Sequence, residues 1–323
     1  MQIRVPEYFV RFRCIADKCL DSCCIGWEID VDDDAKAKYA ALDTPLGREI
    51  VEKTSHGCFP LKKDGRCAFL DDKGLCRIIS ALGDGYLCDI CREHPRYYGV
   101  GNGIFDGGLG LGCEEAARMI LELNELPRLV TIERDIPYYD EDELAKVSED
   151  VRTALFSHIF KDEIRELAGI YKEYARIGDD LAFEASTSAT APVVPDIRVN
   201  VIDSSDLKSI YEEFIDLVGE CEALSDDWAD IIERVKDISA DEALGLLDGK
   251  RGLFYYFTHR YVREGAIDMS LGQRVLFSLG SALVISAIST LIGSDIRAAV
   301  LYSKNIEYST DNVEYILENI GVL

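Results

Sequence analysis

From residue 141 onward, apolar side chains return at the three- and four-residue spacing of one helix face, as in Leu155, Ile159, Ile164, Leu167, Ile170 and Tyr174. The pattern predicts helix over 141–183 and again near 207–223, 226–238, 240–264, 270–292 and 310–320. Just upstream, residues 114–123 read as a short helix, with acids in the first turn where the helix dipole favours them. A Ser/Thr/Ala/Pro stretch near 184–206 interrupts the periodicity and reads as a loop or linker. Residues 1–113 show no long period, only short apolar runs broken at turns such as Lys63-Asp64-Gly65 and Asp72-Lys73-Gly74. The expected fold is mainly α, with an irregular Cys-rich, metal- or cluster-binding module over 1–125 packed on a multi-helix body over 126–323.

One segment, 275–292, is apolar and nearly long enough to cross a bilayer. Its four serines and the acidic chain around it favour a buried central helix, so no membrane insertion is expected. The balance of 48% hydrophobic and 29% charged residues is that of an ordinary globular protein. The net charge of −25 is uneven: residues 1–113 hold 15 Lys and Arg against 18 Asp and Glu, and the other 210 hold 20 against 42. So acidic a C-terminal part repels nucleic acid and permits a lysine-bearing protein partner, with solubility alone as the plainer reading of the charge.

Ten of the eleven cysteines lie within the first 113 residues. The opening MQIRVPEYFV has no apolar signal core, so a cytoplasmic location is expected, where clustered thiols serve as metal ligands more readily than as disulfides. The spacings are Cys14-x4-Cys19-x3-Cys23-Cys24 and Cys67-x8-Cys76-x11-Cys88-x2-Cys91, followed by Cys113. They fit neither a zinc ribbon, which needs a second CxxC, nor a CxxxCxxC radical signature, nor a thioredoxin motif in its βαβ setting. Adjacent Cys23 and Cys24 point in different directions, which suggests two ligand sets, or one ligand and one buried thiol.

Weaker features accompany the thiols. The glycine-rich run 99–112 reads as a flexible loop delivering Cys113 rather than a nucleotide-binding turn. His94 reads as a surface or turn histidine, and Arg92 and Arg96 as offsets to thiolate charge. Trp27 is expected to cover the thiol site, and Asp30, Asp32, Asp33 and Asp34 to open a solvated helix.

Three stretches carry a family resemblance: FRCIADKCLDSCCIGWEIDVD (12–32), PLKKDGRCAFLDDKGLCRIISALGDGYLCDICREHPRYYG (60–99) and GLGLGCEEAARMIL (108–121). In this order and spacing the chain resembles the flagellin lysine-N-methylase family, and more loosely the CxxCxxxxCC-type metal-chelating proteins. Ala68 departs from the family's usual proline, at a turn and not at a ligand. The resemblance implies an iron–sulfur cluster, of 4Fe-4S type with zinc as the alternative, drawn from Cys14, Cys19, Cys23, Cys24, Cys67, Cys76, Cys88, Cys91 and Cys113. Cys58 and Cys221 fall outside the pattern. It further implies S-adenosylmethionine-dependent methyl transfer to lysines of flagellin.

Such a reaction needs a deprotonated amine and a site that tolerates a sulfonium cation. The aromatic run LFYYFTHRYV (253–262) offers Tyr255, Tyr256 and His259 as candidate catalytic residues, with an aromatic core helix as the plainer reading. The location of the S-adenosylmethionine site is not legible in the sequence. Two other classes compete: a non-enzymatic zinc- or iron-binding interaction protein, and an electron-transfer protein.

Overall fold

A computed structural model describes residues 2–20, 22–101, 104–134, 143–188, 190–198 and 201–321. The first third carries five short helices, α1 (Glu7–Arg11), α2 (Asp33–Ala40), α3 (Pro45–Lys53), α4 (Arg77–Leu82) and α5 (Asp89–Glu93). Local chemistry explains their starts: Asp32 accepts from the Ala35 amide at 2.8 Å, and Thr44 from the Gly47 amide at 3.0 Å with Pro45 at the first helical position.

Strands absent from the expectation accompany them: β1 (Gln2–Pro6), β2 (Ile29–Asp30), β3 (Cys58–Phe59), β4 (Arg96–Gly101), β5 (Ile104–Leu109) and β6 (Leu129–Glu133). β2 and β3 form a two-residue ladder, and the others a sheet in the order β4-β5-β1-β6. In it β1 runs parallel to β5 and antiparallel to β6. The flexible loop expected over 99–112 is replaced by strand at 99–101 and 104–109, in β4 and β5; residues 102 and 103 lie outside the described residues. The glycines serve close packing. A Cβ on Gly108 would collide with the Tyr97 ring, and one on Gly112 with the ring of Tyr308.

The body is helical, as expected: α6 (Glu114–Leu121), α7 (Glu143–Ile159), α8 (Ile164–Thr187), α9 (Ser204–Glu220), α10 (Trp228–Val235), α11 (Ala240–Leu246), α12 (Gly252–Tyr261), α13 (Leu271–Ile292), α14 (Asp295–Tyr302) and α15 (Thr310–Asn319). A turn of π-helix, Ser303–Glu307, links the last two. The apolar helix α13 is the centre of this body, packed against α8, α9, α12 and α14. Its most apolar window is 83% buried, and its buried serines have internal partners. Ser281 bonds the Tyr302 hydroxyl at 2.7 Å and Ser286 the Ala243 carbonyl at 2.9 Å.

Two hydrophobic clusters result. The large one joins the helical body to Ile3, Val5, Phe9, Phe105 and Leu109 of the sheet side. The small one contains Ile29, Val31, Tyr39, Ile50, Phe59, Phe69 and Ile78, with Cys67 and Cys88 among its buried members. So small a core gains from a further staple.

Candidate functional site

The fold sorts the cysteines. Cys24, Cys67, Cys76, Cys88 and Cys91 all belong to or pack against the small cluster. The Cys67 amide donates to the Cys24 carbonyl at 2.8 Å, and isolated bridges join Leu61 to Cys67 and Leu70 to Cys76. Cys88 and Cys91 sit at the start of α5, which Asp32 ties to α2 by accepting from the Asp89 amide at 2.7 Å. Burial, with Cys24 and Cys76 nearby, pushes the Cys67 thiol up to about 11.

Cys14, Cys19, Cys23 and Cys113 gather on the other side. Cys113 packs against the large cluster at the head of α6, and burial raises its thiol, as does the charge of Cys14. The Cys19 thiol lies 3.4 Å from the carboxylate of Glu114, which also accepts from the Leu20 amide at 2.6 Å. The Cys23–Cys24 doublet joins the two groups. The Cys23 thiol donates to Cys24, which lowers Cys24 to about 7 despite burial, while Cys23 is raised by the same bond. Arg66 and Lys304 add positive charge near Cys24.

All eleven cysteines are free thiols. Among the described residues, no three His, Cys, Asp or Glu side chains stand arranged to hold a single metal ion. Two pairs of thiols lie within hydrogen-bonding reach, Cys23 with Cys24 and Cys88 with Cys91. The donor chemistry nonetheless fits a soft metal or cluster. It is sulfur throughout, with amide hydrogen bonds from Ile78 and Ile79 to Cys76 and from Glu115 and Ala116 to Cys113 favouring thiolate. Cys58 lies apart, its thiol 3.7 Å from Glu28, and Cys221 ends α9, bonding the Leu217 carbonyl at 3.4 Å.

Beside the thiols opens a cleft of about 410 Å³, lined by Trp27, His94, Tyr97, Arg260 and Tyr308 among others. Trp27 donates from Nε1 to the Cys23 carbonyl at 2.8 Å, and its ring centroid is 5.2 Å from that of Tyr308. His94 is a turn histidine at the end of α5, half-buried rather than on the open surface. Its Nε2 is enclosed without a partner, and burial, aided by Lys304 and Arg96, lowers its pKa to about 4. Of the rings beside it, Trp27 comes from the start of the chain and Tyr308 from its far end, which no local pattern around His94 announces. Arg92 pairs with Asp89, and Arg96 lies over the rings of Phe9 and Phe12.

The three aromatic-helix candidates are all buried in α12. Tyr256 stands behind the cleft. It donates to Glu307 at 2.7 Å and accepts from Arg260 Nη1 at 2.6 Å. Tyr255 and His259 share a face, with ring centroids 5.4 Å apart, turned toward buried Arg152 and Asp106. Tyr97 links the two sides: its hydroxyl is 3.1 Å from His259 Nδ1, and Arg260 lies over its ring at 4.6 Å. The sequence offered no sign of Glu307 or Tyr308 as members of this neighbourhood.

Burial, with the charge of Arg152, lowers His259 to about 3. Between that value and the unfolded 6.5 the folded protein binds fewer protons than the unfolded chain. The His259 contribution is thus complete above pH 6.5 and is lost as pH falls. Urea denaturation between pH 7 and 5 is expected to show this loss, and His259→Gln to flatten it; an unchanged slope in the variant would count against the assignment.

Fold and site together define a mainly helical protein with a thiol-rich lobe and an aromatic cleft beside it. No protein-family model matches the chain, and no solved structure does. Among curated proteins, it is 32% identical over 126 residues to a lysine-N-methylase of Salmonella typhimurium, covering 36% of this chain and 31% of that one. It is 30% identical over 129 residues to the flagellar biosynthetic protein FliU of Salmonella muenchen, covering 36% of this chain and 75% of FliU. A lysine-N-methylase of Salmonella choleraesuis matches at 31% over 126 residues. The chain belongs to the lysine-N-methylase and FliU family. The match spans about a third of the length of the lysine-N-methylases.

Proposed function

We propose that the protein is a cytoplasmic lysine N-methyltransferase, which transfers methyl groups from S-adenosylmethionine to lysines of flagellin or of another lysine-bearing protein. The observation that carries this reading is its likeness to proteins named lysine-N-methylase and to one named for flagellar biosynthesis. The acidic body supports a lysine-bearing partner by long-range attraction.

Bound S-adenosylmethionine supplies an electrophilic methyl on a sulfonium. The lysine nitrogen lone pair forms the new N–C bond, the S–C bond pair returns to sulfur, and the ammonium proton must leave beforehand. The amine gives that proton to solvent before it enters the cleft, of which His94 forms one wall. The aromatic rings around it keep water out and disfavour the charged amine.

The iron–sulfur cluster, or zinc in its place, is drawn from the nine-thiol pool, with Cys24, Cys67, Cys76, Cys88 and Cys91 the group best gathered. Its role in this reading is to staple the small core. Iron and sulfide analysis of anaerobically purified protein tests the metal. Colourless, zinc-loaded protein would exclude the cluster, and a metal-loaded protein that methylates nothing would be the interaction platform instead.

A further inference from the structure

We propose that the cleft walled by Trp27, His94 and Tyr308 is the seat of S-adenosylmethionine, an inference that rests on the methyl-transfer reading above. At about 410 Å³ its size suits a nucleoside-bearing ligand. Three rings pack against one another there: Trp27 and Tyr308 are tilted with centroids 5.2 Å apart, Trp27 and His94 tilted at 6.3 Å, and His94 and Tyr308 edge to face at 6.4 Å. Such a wall stacks an adenine and stabilises a sulfonium through its ring faces.

Two enclosed polar atoms, His94 Nε2 and Tyr308 Oη, have no partner in the fold. Buried polar atoms are nearly always paired, so two orphans in one cleft mark where a ligand's hydroxyls or ring nitrogens fit. Asp89 and Glu93 line the cleft together with Arg96 and Arg260, giving both signs of charge to a molecule that ends in an amino acid. The larger groove of about 530 Å³, lined by Lys208, Glu212, Asp216 and Lys236 with Tyr211 as its one ring, lacks this aromatic wall.

The chain has two tryptophans, Trp27 and Trp228, and Trp228 is buried in the helical body. In metal-loaded Trp228→Phe protein, Trp27 is therefore the sole tryptophan reporter. Titration with S-adenosylhomocysteine is expected to change its fluorescence saturably. His94→Ala and Tyr308→Phe are each expected to weaken calorimetric binding to the wild-type chain roughly ten-fold, and Lys208→Ala to leave it unchanged. Ultraviolet crosslinking of S-adenosylmethionine to the wild-type protein needs no variant and should label peptides carrying Trp27, residues 89–97 or Tyr308. Binding with silent Trp27, unaffected variants and labels elsewhere would overturn this site and leave the methyltransferase reading standing. No binding to the metal-loaded wild-type protein would overturn both.

Discussion

Asp106→Ala is expected to destabilise the protein by about 3–5 kcal/mol, because it strands positive charge inside the fold. Asp106 and Arg152 are each only 1% exposed. The carboxylate accepts from Arg4 Nε at 2.7 Å, from Arg4 Nη2 at 2.9 Å and from Arg152 Nη2 at 2.5 Å. Burial opposes ionisation, but the Arg4 bond and the Arg152 charge prevail and hold the carboxyl well below the usual range. One side chain thereby ties β5 to β1 and to α7. Urea denaturation of the variant should show the loss, while Asp34→Ala, on the exposed start of α2, should change stability little. A loss below about 1 kcal/mol would mean that the network relaxes around the missing carboxylate.

The second large effect concerns the thiols. Cys88→Ser is expected to remove most of the bound metal and to open the small core to proteolysis, whereas Cys221→Ser should do neither. Cys88 is buried among Ile29, Val31, Phe69 and Ile78, and structural metal in small peptides supplies roughly 10–16 kcal/mol. Cys221 bonds only backbone carbonyls, at the end of α9. Metal content by mass spectrometry and cleavage sites within residues 29–91 read the outcome. Full metal retention in the Cys88 variant would remove that thiol from the ligand pool.

The stripe Leu155, Ile159, Ile164, Leu167, Ile170 and Tyr174 made α7 and α8 legible, because each buries one face against a single core. The sheet was not legible. β1 is five residues long, β4 and β5 carry glycines that strands normally avoid, and Ile3 meets Phe105 across the chain. α14 and the π-turn were hidden for another reason: the segment is short and its backbone period changes within it. The thiols were readable as a list and not as two groups, since their sorting depends on which cluster each stretch packs against. The cleft was the least legible. Trp27, His94 and Tyr308 lie far apart in sequence and meet only because the C-terminal segment returns to the Cys-rich lobe, where the Lys304 ammonium lies 3.5 Å from the Ser22 carbonyl.

Lysine methyl transfer can be read out on flagellin itself. Metal-loaded protein, purified without oxygen, is incubated with flagellin and S-adenosylmethionine carrying a deuterated methyl group, and the flagellin peptides are then mapped by mass spectrometry. Deuterated methyl groups are expected on lysine side chains, and none when either the protein or the methyl donor is omitted. Flagellin lysines left unlabelled under conditions where the protein is folded and metal-loaded would contradict that transfer.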